Sequence, residues 1–358
     1  EKEDAGILLL PQDGTMTAAA ITKAIAATHI FIVGGTAALS AAVEAKLKTT
    51  VAGGGAGKGT ANITRYGGSN RMATAAMVAN AVGTANVASF NTKKTAIIVN
   101  GNNFADAVSA SMLVGGPSGQ AEVNTHPILL TQKDSLPIAT ETSLQNLAVT
   151  QVVIIGGEGV VSAAVETTLK ASYGVIRIGG TDRFDTAAKV ADLAIKTLVS
   201  GGFGMDKKNV YLAEMGAASG GADAIAAGQI VIAEPTGAVM LGLSGGTLPS
   251  ATSTWLGANK AGASGLTVGI IGGTAVVPTA TETAITTAAG GDAATLTATV
   301  AARAGQVTFT VNFSEPVLKS SLSATADVVV ISSTAGTDAA TSAVSYVTVP
   351  STSLVTSS

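Results

Sequence analysis

The sequence feature that most constrains the fold is a strand–glycine–helix pattern that recurs along the chain. In residues 151–195, an apolar run ends at Gly156-Gly157 and a helical pattern follows; a second apolar run then ends at Gly179-Gly180 before another helical pattern. Glycine tolerates tight backbone turns, so the pattern predicts strand, turn and helix, twice over. We therefore expect repeated βα units around a parallel sheet that is buried on both faces.

The same sequence pattern occurs more than once in the chain. Residues 30–47 match residues 152–169, and residues 63–79 match residues 175–191. A weaker third copy occupies residues 268–285. The copies are roughly 110 to 120 residues apart, and a fixed spacing of this kind indicates whole structural units that have been repeated.

These repeats predict three α/β segments and one all-β segment. The α/β segments are a partial first repeat, a second repeat and a third repeat, at 1–62, 63–174 and 175–290. After residue 290 the pattern changes to an alternation of polar and apolar residues, as in QVTFTVNF at 306–313. That alternation is typical of half-buried antiparallel strands, so 291–358 is predicted to be a β-sandwich, with further strands at 328–332 and 343–349.

The first repeat begins part-way through the pattern. Residues 7–10, ILLL, are predicted to be a buried strand, but no strand and helix precede them as they do in the second repeat. We expect this repeat either to be cut at that point or to be completed by a neighbouring molecule.

Composition excludes several classes of protein. The formal net charge is −3 and the pI about 5.5, so no basic field points to nucleic acid. There is no cysteine, which excludes disulfides and thiolate sites, and no apolar run of the roughly 18 residues that a transmembrane helix needs. Charged residues make up 12% of the chain, and so weakly charged a surface suits a protein that self-associates, although a solitary extracellular protein could share it.

Three blocks of sequence together resemble a known family. They are RIGGTDRFDTAAKVA, NGNNFADAVSASML with PILLT, and VVIIGGEGVVSAAVETTL, at 177–191, 100–113 with 127–131, and 152–169. In combination they resemble the cell wall binding repeat 2 family, whose modules occur in tandem triplets on surface proteins of Gram-positive bacteria. The resemblance covers residues 6–288 and is closest over 63–195. Residues 306–317 are similar to bacterial immunoglobulin-like modules.

The resemblance implies a Rossmann-like unit used three times around a pseudo-threefold axis, and an immunoglobulin-like sandwich after it. It also implies non-covalent binding to an anionic polymer of the cell wall. The family's Ile-Leu-Leu motif falls on two sets of three residues: Ile128, Leu129 and Leu130, and Ile7, Leu8 and Leu9. These residues are apolar, so packing within or between units is the alternative to a direct part in anchoring.

Four arginines, two in residues 63–79 and two in the matching residues 175–191, are candidates for contacts with the polymer: Arg65, Arg71, Arg177 and Arg183. Arginine stays charged and pairs with phosphate or carboxylate through two parallel hydrogen bonds. Helix N-termini beside the glycine turns would add backbone N–H groups. The alternative for the second arginine of each pair is an ion pair that fastens one helix to the next, with Asp106, Asp182 or Asp223.

Asp106 and Asp223 occupy equivalent places after a strand of the second and third repeats. An acidic residue in the first turn of a helix is stabilised by the helix dipole, and this explanation competes with a catalytic role.

Signals for an enzyme are weak. The glycine pairs lack the spacing of a dinucleotide fingerprint, and GGGAGKGT at 53–60 lacks the first glycine and the Ser or Thr of a phosphate loop. His29 and His126 lie in different units without a neighbouring serine or acid, so neither a triad nor a zinc site is expected. Calcium is the one cofactor considered, through acidic residues around the β-rich segment: Asp292, Glu315, Asp327 and Asp338. Solvated loop acids are the alternative.

The sequence thus predicts a non-enzymatic, extracellular protein of the bacterial surface layer or cell wall. Its repeats would bind anionic wall polymer, assemble with neighbouring copies, or do both. Two alternatives stay open: a lattice or filament subunit that does not bind polymer, and the targeting region of a cell-wall hydrolase.

Overall fold

The computed structural model describes nine stretches of the chain. They are 7–52 (without 12, 14, 19–20, 22–23, 25–26 and 28), 63–115, 124–207, 209–216, 221–233, 238–260, 266–290, 297–303 and 306–312. Contacts between Cα atoms divide the chain into two units, Glu1–Gly290 and Gly291–Ser358. The division falls where the sequence changes from a βα pattern to an alternating one.

The first sheet has two parallel strands among the described residues. They are β1 (Ile30–Val33) and β2 (Ile63–Tyr66), with helix α1 (Ala41–Ala52) between them in the chain. A small core of buried apolar side chains holds this layer together: Ala24, Ile32, Val43 and Leu47. Helix α2 (Arg71–Val82) follows β2.

The second sheet has four parallel strands in the order β5-β4-β6-β7, and a short β3 pairs antiparallel with the start of β4. The elements are β3 (Ser89–Phe90), β4 (Lys93–Asn100), α3 (Phe104–Ser111), β5 (Ile128–Thr131), α4 (Ile138–Asn146), β6 (Gln151–Ile155), α5 (Ala163–Lys170) and β7 (Gly174–Ile178). Every residue of β6 is buried, as expected for the continuous apolar run of a central parallel strand.

The third sheet repeats the strand order of the second. Its strands lie in the order β9-β8-β10, all parallel. Helix α6 (Arg183–Ile195) precedes it, and its own elements are β8 (Asn209–Glu214), α7 (Ala222–Ala233), β9 (Val239–Leu243), α8 (Ser250–Asn259), β10 (Thr267–Ile271) and α9 (Thr279–Ala288). The described residues include no counterpart of β7 in this sheet. The described chain is thus an α/β structure with parallel sheets.

The helix that follows the last strand of a repeat packs on the next sheet. Helix α2 packs against β5 and α4, and α6 packs in the same way against β9 and α8. Buried residues of the second and third sheets consequently form one continuous core, which includes Val153 and Met240. Sheets and sequence repeats therefore overlap: β7 pairs with β6 of the second sheet although residues 175–178 lie beyond the predicted boundary at 174. The four-segment division itself stays a prediction.

In the first and second copies of the repeated pattern, the two glycine pairs pack against each other. Gly34, Gly156 and Gly272 have φ of +136°, +120° and +126°, a region that favours glycine. A Cβ atom on Gly179 would lie 2.7 Å from the nitrogen of Gly157, and one on Gly67 would lie 2.8 Å from the carbonyl oxygen of Gly34. Glycine is therefore required in the second pair because the two backbone turns approach each other closely. The sequence pattern alone did not reveal this reason.

The strand predicted at 7–10 is not formed. Ile7, Leu8 and Leu9 are exposed by 45%, 46% and 52%, and no strand includes them. Their counterparts in the second repeat form β5, whose strand partner is β4. The described residues of the first repeat contain no counterpart of β4, so the run has no strand on which to add.

In the second unit the structure describes one antiparallel hairpin, β11 (Thr297–Arg303) with β12 (Gln306–Asn312). It contains the strand predicted at 306–313. The strands predicted at 328–332 and 343–349 lie outside the described residues, and the immunoglobulin-like sandwich stays a prediction.

Candidate functional site

The parallel strands of the second sheet all end at one edge, which we call the carboxyl edge. Loops begin there at Gly101 after β4, at Gln132 after β5, at Gly156 after β6 and at Gly179 after β7. Ligands of open parallel sheets bind outside this edge, where helix N-termini and loop side chains converge. An anionic ligand is therefore expected at this edge.

The first arginine of each pair is bound by the glycine turn and the helix that precede its strand. Arg65 donates from Nε to Glu44 Oε2 at 2.8 Å and from Nη1 to the carbonyl oxygen of Gly34 at 2.7 Å. Arg177 repeats both contacts, with Glu166 Oε2 at 2.7 Å and the carbonyl oxygen of Gly156 at 2.8 Å. Each arginine thus ties the strand that bears it to the preceding glycine turn and helix.

The glutamates of these ion pairs are also held by a lysine one helical turn further on. Lys48 lies 2.7 Å from Glu44, and Lys170 lies 2.7 Å from Glu166. The hydrogen bonds from Lys48 and then Arg65 lower the pKa of Glu44, and those from Lys170 and then Arg177 lower the pKa of Glu166. Both carboxylates are accordingly ionised partners of the arginines at neutral pH.

Sequence reasoning did not foresee these ion pairs. Glu44 and Glu166 occupy the same position in the two copies of the strand–glycine–helix sequence. This repetition was the feature of the sequence that could have indicated the two ion pairs. Their distances along the chain to the arginines differ, because the loop before Arg65 is longer than the loop before Arg177. A search for a fixed spacing would therefore fail.

The second arginine of each pair reaches the strand end of the next sheet. Arg71 donates to the carbonyl oxygen of Gly101 at 2.8 Å, and Arg183 donates to that of Met215 at 2.9 Å. The predicted ion pairs with Asp182 and Asp223 are not seen among the described residues; Asp182 instead caps α6, accepting from the backbone nitrogens of Phe184 and Asp185. The arginines therefore join consecutive sheets through backbone carbonyls.

Asp106 is the buried acid of the junction between the second and third sheets. It lies in the first turn of α3, as predicted, and is 5% exposed. Burial raises its pKa to about 6, and the positive charge of Arg183 opposes that rise. Asp223 takes the equivalent place in α7 and is half-buried. Arg183 is therefore the charge that faces Asp106, in partial agreement with the predicted pairing.

Two cations of the carboxyl edge face solvent. Arg71 begins α2 beside Gly101, and Lys133 follows β5; both are exposed. Within the described ranges neither forms an ion pair with a carboxylate. Arg65 and Arg177, by contrast, have side chains only 15% and 16% exposed. The cations available to an anionic ligand at this edge are thus Arg71 and Lys133.

The Ile-Leu-Leu motif contributes to the core in two of three repeats. In the second repeat Leu129 is fully buried, and Ile128 and Leu130 are partly buried against the shared core. The corresponding run in the third repeat, Val239, Met240 and Leu241, is fully buried. In these two repeats the motif residues therefore pack in the core.

The other chemical candidates are not brought together. His126 is buried, donates from Nδ1 to the carbonyl oxygen of Leu113 at 3.2 Å if that nitrogen carries the proton, and packs edge-on against Phe203. Burial lowers its pKa to about 4. No group of three His, Asp or Glu residues able to hold a metal occurs in the described part of the chain. The four calcium candidates and the glycine-rich stretch at 53–60 lie outside it.

Comparison with known proteins identifies the family. The model for cell wall binding domain 2 (CWB2) matches residues 65–166 and 177–282, more than half of the chain. The chain belongs to the CWB2 family. Each match begins at the first arginine of a pair, and membership of this family indicates association with the cell wall surface. None of the described helices is long and apolar enough to cross a membrane.

Curated relatives of the CWB2 chain are longer proteins. It is 35% identical over 131 residues to "N-acetylmuramoyl-L-alanine amidase LytC" of Bacillus subtilis (strain 168), covering 36% of this chain and 24% of the amidase. It is 32% identical over 162 residues to the "Amidase enhancer" of the same organism, covering 45% of this chain and 18% of that protein. The chain therefore spans about a quarter or less of these relatives.

Solved structures confirm the fold of the CWB2 chain. It matches "Cwp8 from Clostridium difficile" with a TM-score of 0.55 and 25% identity, over 73% of this chain and 38% of that one. It matches "Cwp6 from Clostridium difficile" with a TM-score of 0.60 and 21% identity, over 80% of this chain and 40% of that one.

Proposed function

We propose that this chain is the wall-binding region of an extracellular bacterial protein, and that it binds an anionic wall polymer at the carboxyl edge of the second sheet. The observation that carries this proposal is the CWB2 match over residues 65–166 and 177–282. The chain itself performs no catalysis in this proposal. The three repeats, the first of them partial, would share one pseudo-threefold arrangement.

The charges at the carboxyl edge support an anionic ligand. Arg71 and Lys133 are exposed, and the Arg71 guanidinium uses Nη1 for the carbonyl oxygen of Gly101 while its other donors remain available to a phosphate or carboxylate. Arg65 and Arg177, which the sequence also offers as candidates, form ion pairs with Glu44 and Glu166. We therefore assign polymer contact to Arg71 and Lys133, keep Arg183 as a further candidate, and assign a structural role to Arg65 and Arg177.

A second candidate function is the targeting region of a cell-wall hydrolase. It is favoured by the two Bacillus relatives, whose names describe an amidase and an amidase enhancer. This chain matches only a part of each of them. Polymer binding is common to both candidates. They differ in whether a catalytic domain lies elsewhere in the full-length protein, which an assay of that protein on purified walls would show.

Assembly into a lattice or filament is a further proposal, supported by the 12% content of charged residues. An immunoglobulin-like sandwich at 291–358 and calcium bound by Asp292, Glu315, Asp327 or Asp338 belong to it. Electron microscopy of the purified protein with and without calcium would test it, because dispersed particles under both conditions would contradict assembly.

Polymer binding is tested by sedimentation with purified Gram-positive cell walls, before and after hydrofluoric acid removes phosphodiester-linked polymers. The double variant Arg71→Ala/Lys133→Ala should bind intact walls about thirtyfold more weakly, because each of the two lost cations costs roughly 1 kcal/mol against a polyanion. Binding of the unaltered protein should fall with added salt and with acid extraction.

The matched control is Lys196→Ala, an exposed cation at the far end of α6. It should bind walls like the unaltered protein. Equal retention of the double variant and this control, or retention on extracted walls, would contradict the assignment to the carboxyl edge. Retention of neither would contradict wall binding by this region.

A further inference from the structure

An exposed apolar tip lies at the amino edge of the second sheet, the edge at which β4, β6 and β7 begin. The tip consists of Leu198 and Val199, in the loop 197–202 that follows α6. Leu198 is 49% exposed and Val199 is 101% exposed, so Val199 adds nothing to the core. A Cβ atom on Gly201 would lie 3.9 Å from Asn91 Oδ1, in the turn between β3 and β4, which places the tip at this edge.

The loop 197–202 has a closed backbone structure that holds the tip outward. The backbone nitrogens of Ser200 and Gly202 donate to the carbonyl oxygen of Thr197 at 3.0 Å and 2.9 Å. The Thr197 hydroxyl also donates to Ser200 Oγ at 2.9 Å. A Cβ atom on Gly202 would overlap the carbonyl oxygen of Lys196, so this close return of the chain requires glycine.

The loop is also anchored to the body of the protein where it ends. Phe203 is 1% exposed and stacks on Phe90 of β3, with the ring centroids 4.5 Å apart. The backbone nitrogen of Gly204 donates back to the carbonyl oxygen of Lys196 at 2.7 Å. Loops that a rigid scaffold positions often carry binding residues, and apolar side chains displayed in this way are typical of a contact surface.

The neighbouring turn between β3 and β4 is strained. Asn91 and Thr92, both exposed, have φ of +51° and +66°. Asparagine visits this left-handed region, whereas a β-branched threonine there is an outlier. Such strain persists where the surrounding structure imposes it, and it is concentrated at functional sites. The turn is therefore a second, independent indication that the amino edge is a functional surface.

Two lysines flank the tip. Lys196 precedes it, and Lys93 follows the strained turn; both are exposed, and neither side chain has a partner within the described ranges. The acids closest to the loop along the chain are Asp192 and Asp206. Asp192 accepts a hydrogen bond from Trp255 Nε1 at 2.8 Å, and Asp206 is half-buried. The charges beside the tip that are free for a ligand are therefore positive.

We propose that the amino edge of the second sheet docks on an anionic lipid bilayer. Leu198 and Val199 enter the boundary between headgroups and acyl chains, and Lys93 and Lys196 lie beside the lipid phosphates. Apolar side chains bind a membrane surface in proportion to the area they bury, and each lysine near an anionic leaflet adds to the attraction. The contact is interfacial and needs no segment that spans the bilayer.

The size and shape of the tip favour a lipid surface over a protein partner. A stable protein interface buries roughly 800 Å² on each side, whereas this tip is two aliphatic side chains that project from one loop. A bilayer requires only a projecting apolar group with cations beside it. Free phosphate could pair with the lysines, but it would leave Leu198 and Val199 in water.

The amino edge is opposite the carboxyl edge to which we assign wall binding. Strand β6 has five residues, so the two edges are roughly 16 Å apart. A chain docked on a bilayer at its amino edge would keep Arg71 and Lys133 on the side away from the lipid. Docking does not depend on the proposed wall binding; where both hold, the chain bridges membrane and wall.

Docking is tested by sedimentation of the full chain with vesicles of phosphatidylglycerol and phosphatidylcholine in equal parts. We expect binding that falls with added salt, and at least tenfold weaker binding to phosphatidylcholine alone. Leu198→Ser/Val199→Ser should lower the partition coefficient about tenfold, because less apolar area is buried. Lys93→Gln/Lys196→Gln should lower it about thirtyfold, since each lysine contributes a factor of roughly five.

A fluorescent label locates the contact. The chain has no cysteine, so Val199→Cys can be labelled at one position with a dye whose emission reports the polarity around it. The emission should rise and shift to shorter wavelength when anionic vesicles are added. The matched control is Ile138→Cys, at an 81% exposed residue that begins α4 at the carboxyl edge, and its emission should not change.

Swapped controls separate docking from wall binding. Arg71→Ala/Lys133→Ala should bind vesicles like the unaltered protein, and Leu198→Ser/Val199→Ser should bind purified walls like the unaltered protein. Absence of vesicle binding, equal binding to phosphatidylcholine alone, or a partition coefficient insensitive to the tip variant would overturn the proposal. So would a dimer in analytical ultracentrifugation that the tip variant abolishes, because the tip would then contact a second copy of the chain.

Discussion

The first and second repeats have almost the same strand–glycine–helix sequence, yet only the second buries the strand of that sequence completely. Ile154 and Ile155 of β6 are fully buried between two neighbouring strands, whereas Val33 of β1 is 55% exposed. The arginine–glutamate tie and the packed glycine turns are nevertheless present in both. The difference shows which contacts a repeat makes within itself and which it receives from its neighbours.

The third repeat differs from the second at its other end. It keeps the counterparts of β4, β5 and β6, but the described residues include none of β7. A Cβ atom on Gly273 would accordingly meet nothing within 4 Å, whereas Gly157 is met by the carbonyl oxygen of Gly180 at 3.4 Å. Space for a side chain at the second glycine of the pair is thus limited only where the second strand–glycine segment packs against it.

The largest effect should come from filling the contact between the glycine turns. Gly179→Ala places a Cβ atom 2.7 Å from the nitrogen of Gly157, where only backbone could yield. We expect the free energy of unfolding, measured by urea titration, to fall by about 3 kcal/mol or more. Gly273→Ala is the matched control and should change it by less than about 1 kcal/mol.

The corresponding change in the first repeat, Gly67→Ala, tests whether that repeat unfolds by itself. It introduces the same overlap, with the carbonyl oxygen of Gly34. Because the buried apolar residues of the first sheet form a cluster separate from those of the other two sheets, we expect loss of hydrogen-exchange protection in β1 and β2 with a smaller fall in global stability. An equal fall for Gly67→Ala and Gly179→Ala would mean that the first sheet is fully cooperative with the second.

The sequence was sufficient where a residue's role depends on its own repeat. The apolar runs of β6 and β10, the helices after them and the sharp turn at Gly156 follow from the local pattern. It was insufficient where a role depends on another element. Leu8 and Leu9 have a strand-forming sequence, but the described residues include no strand beside them. The guanidinium of Arg177 is bound by Glu166, and the loop between these two residues differs in length from the corresponding loop before Arg65.

The next effect concerns two buried groups whose pKa values move in opposite directions. Asp106 has its pKa raised to about 6, so the folded state holds the proton more tightly and this group's stabilising contribution is lost as the pH rises from about 4 through 6. His126 has its pKa lowered to about 4, so the unfolded state takes up the proton first and stability is lost as the pH falls from about 6.5 through 4. In the unaltered protein the two dependences largely cancel.

Single variants should separate them. Relative to the unaltered protein, Asp106→Asn should gain up to about 3 kcal/mol in free energy of unfolding between pH 4 and pH 6.5, and His126→Leu should lose about as much over the same interval. Urea midpoints at four pH values measure both slopes. Identical slopes for the two variants would contradict the opposite shifts. Neither group has a counterpart in the described first repeat, so changes confined to β1 and β2 should leave both slopes intact.

The smallest effect compares the two helix caps that follow the glycine pairs. Asp182 caps α6 by accepting two backbone hydrogen bonds at 2.8 Å, and Asn70 caps α2 by accepting one from Ala73 at 2.9 Å. Asp182→Ala should lower the free energy of unfolding by about 1 kcal/mol, because a charged cap also interacts with the helix dipole. Asn70→Ala should cost somewhat less. Helices α2 and α6 each pack on the sheet that follows them. The loss of stability should therefore appear as faster hydrogen exchange in β5 for Asn70→Ala and in β9 for Asp182→Ala. Faster exchange confined to the sheet before each helix would instead show that the helix belongs to the repeat that precedes it.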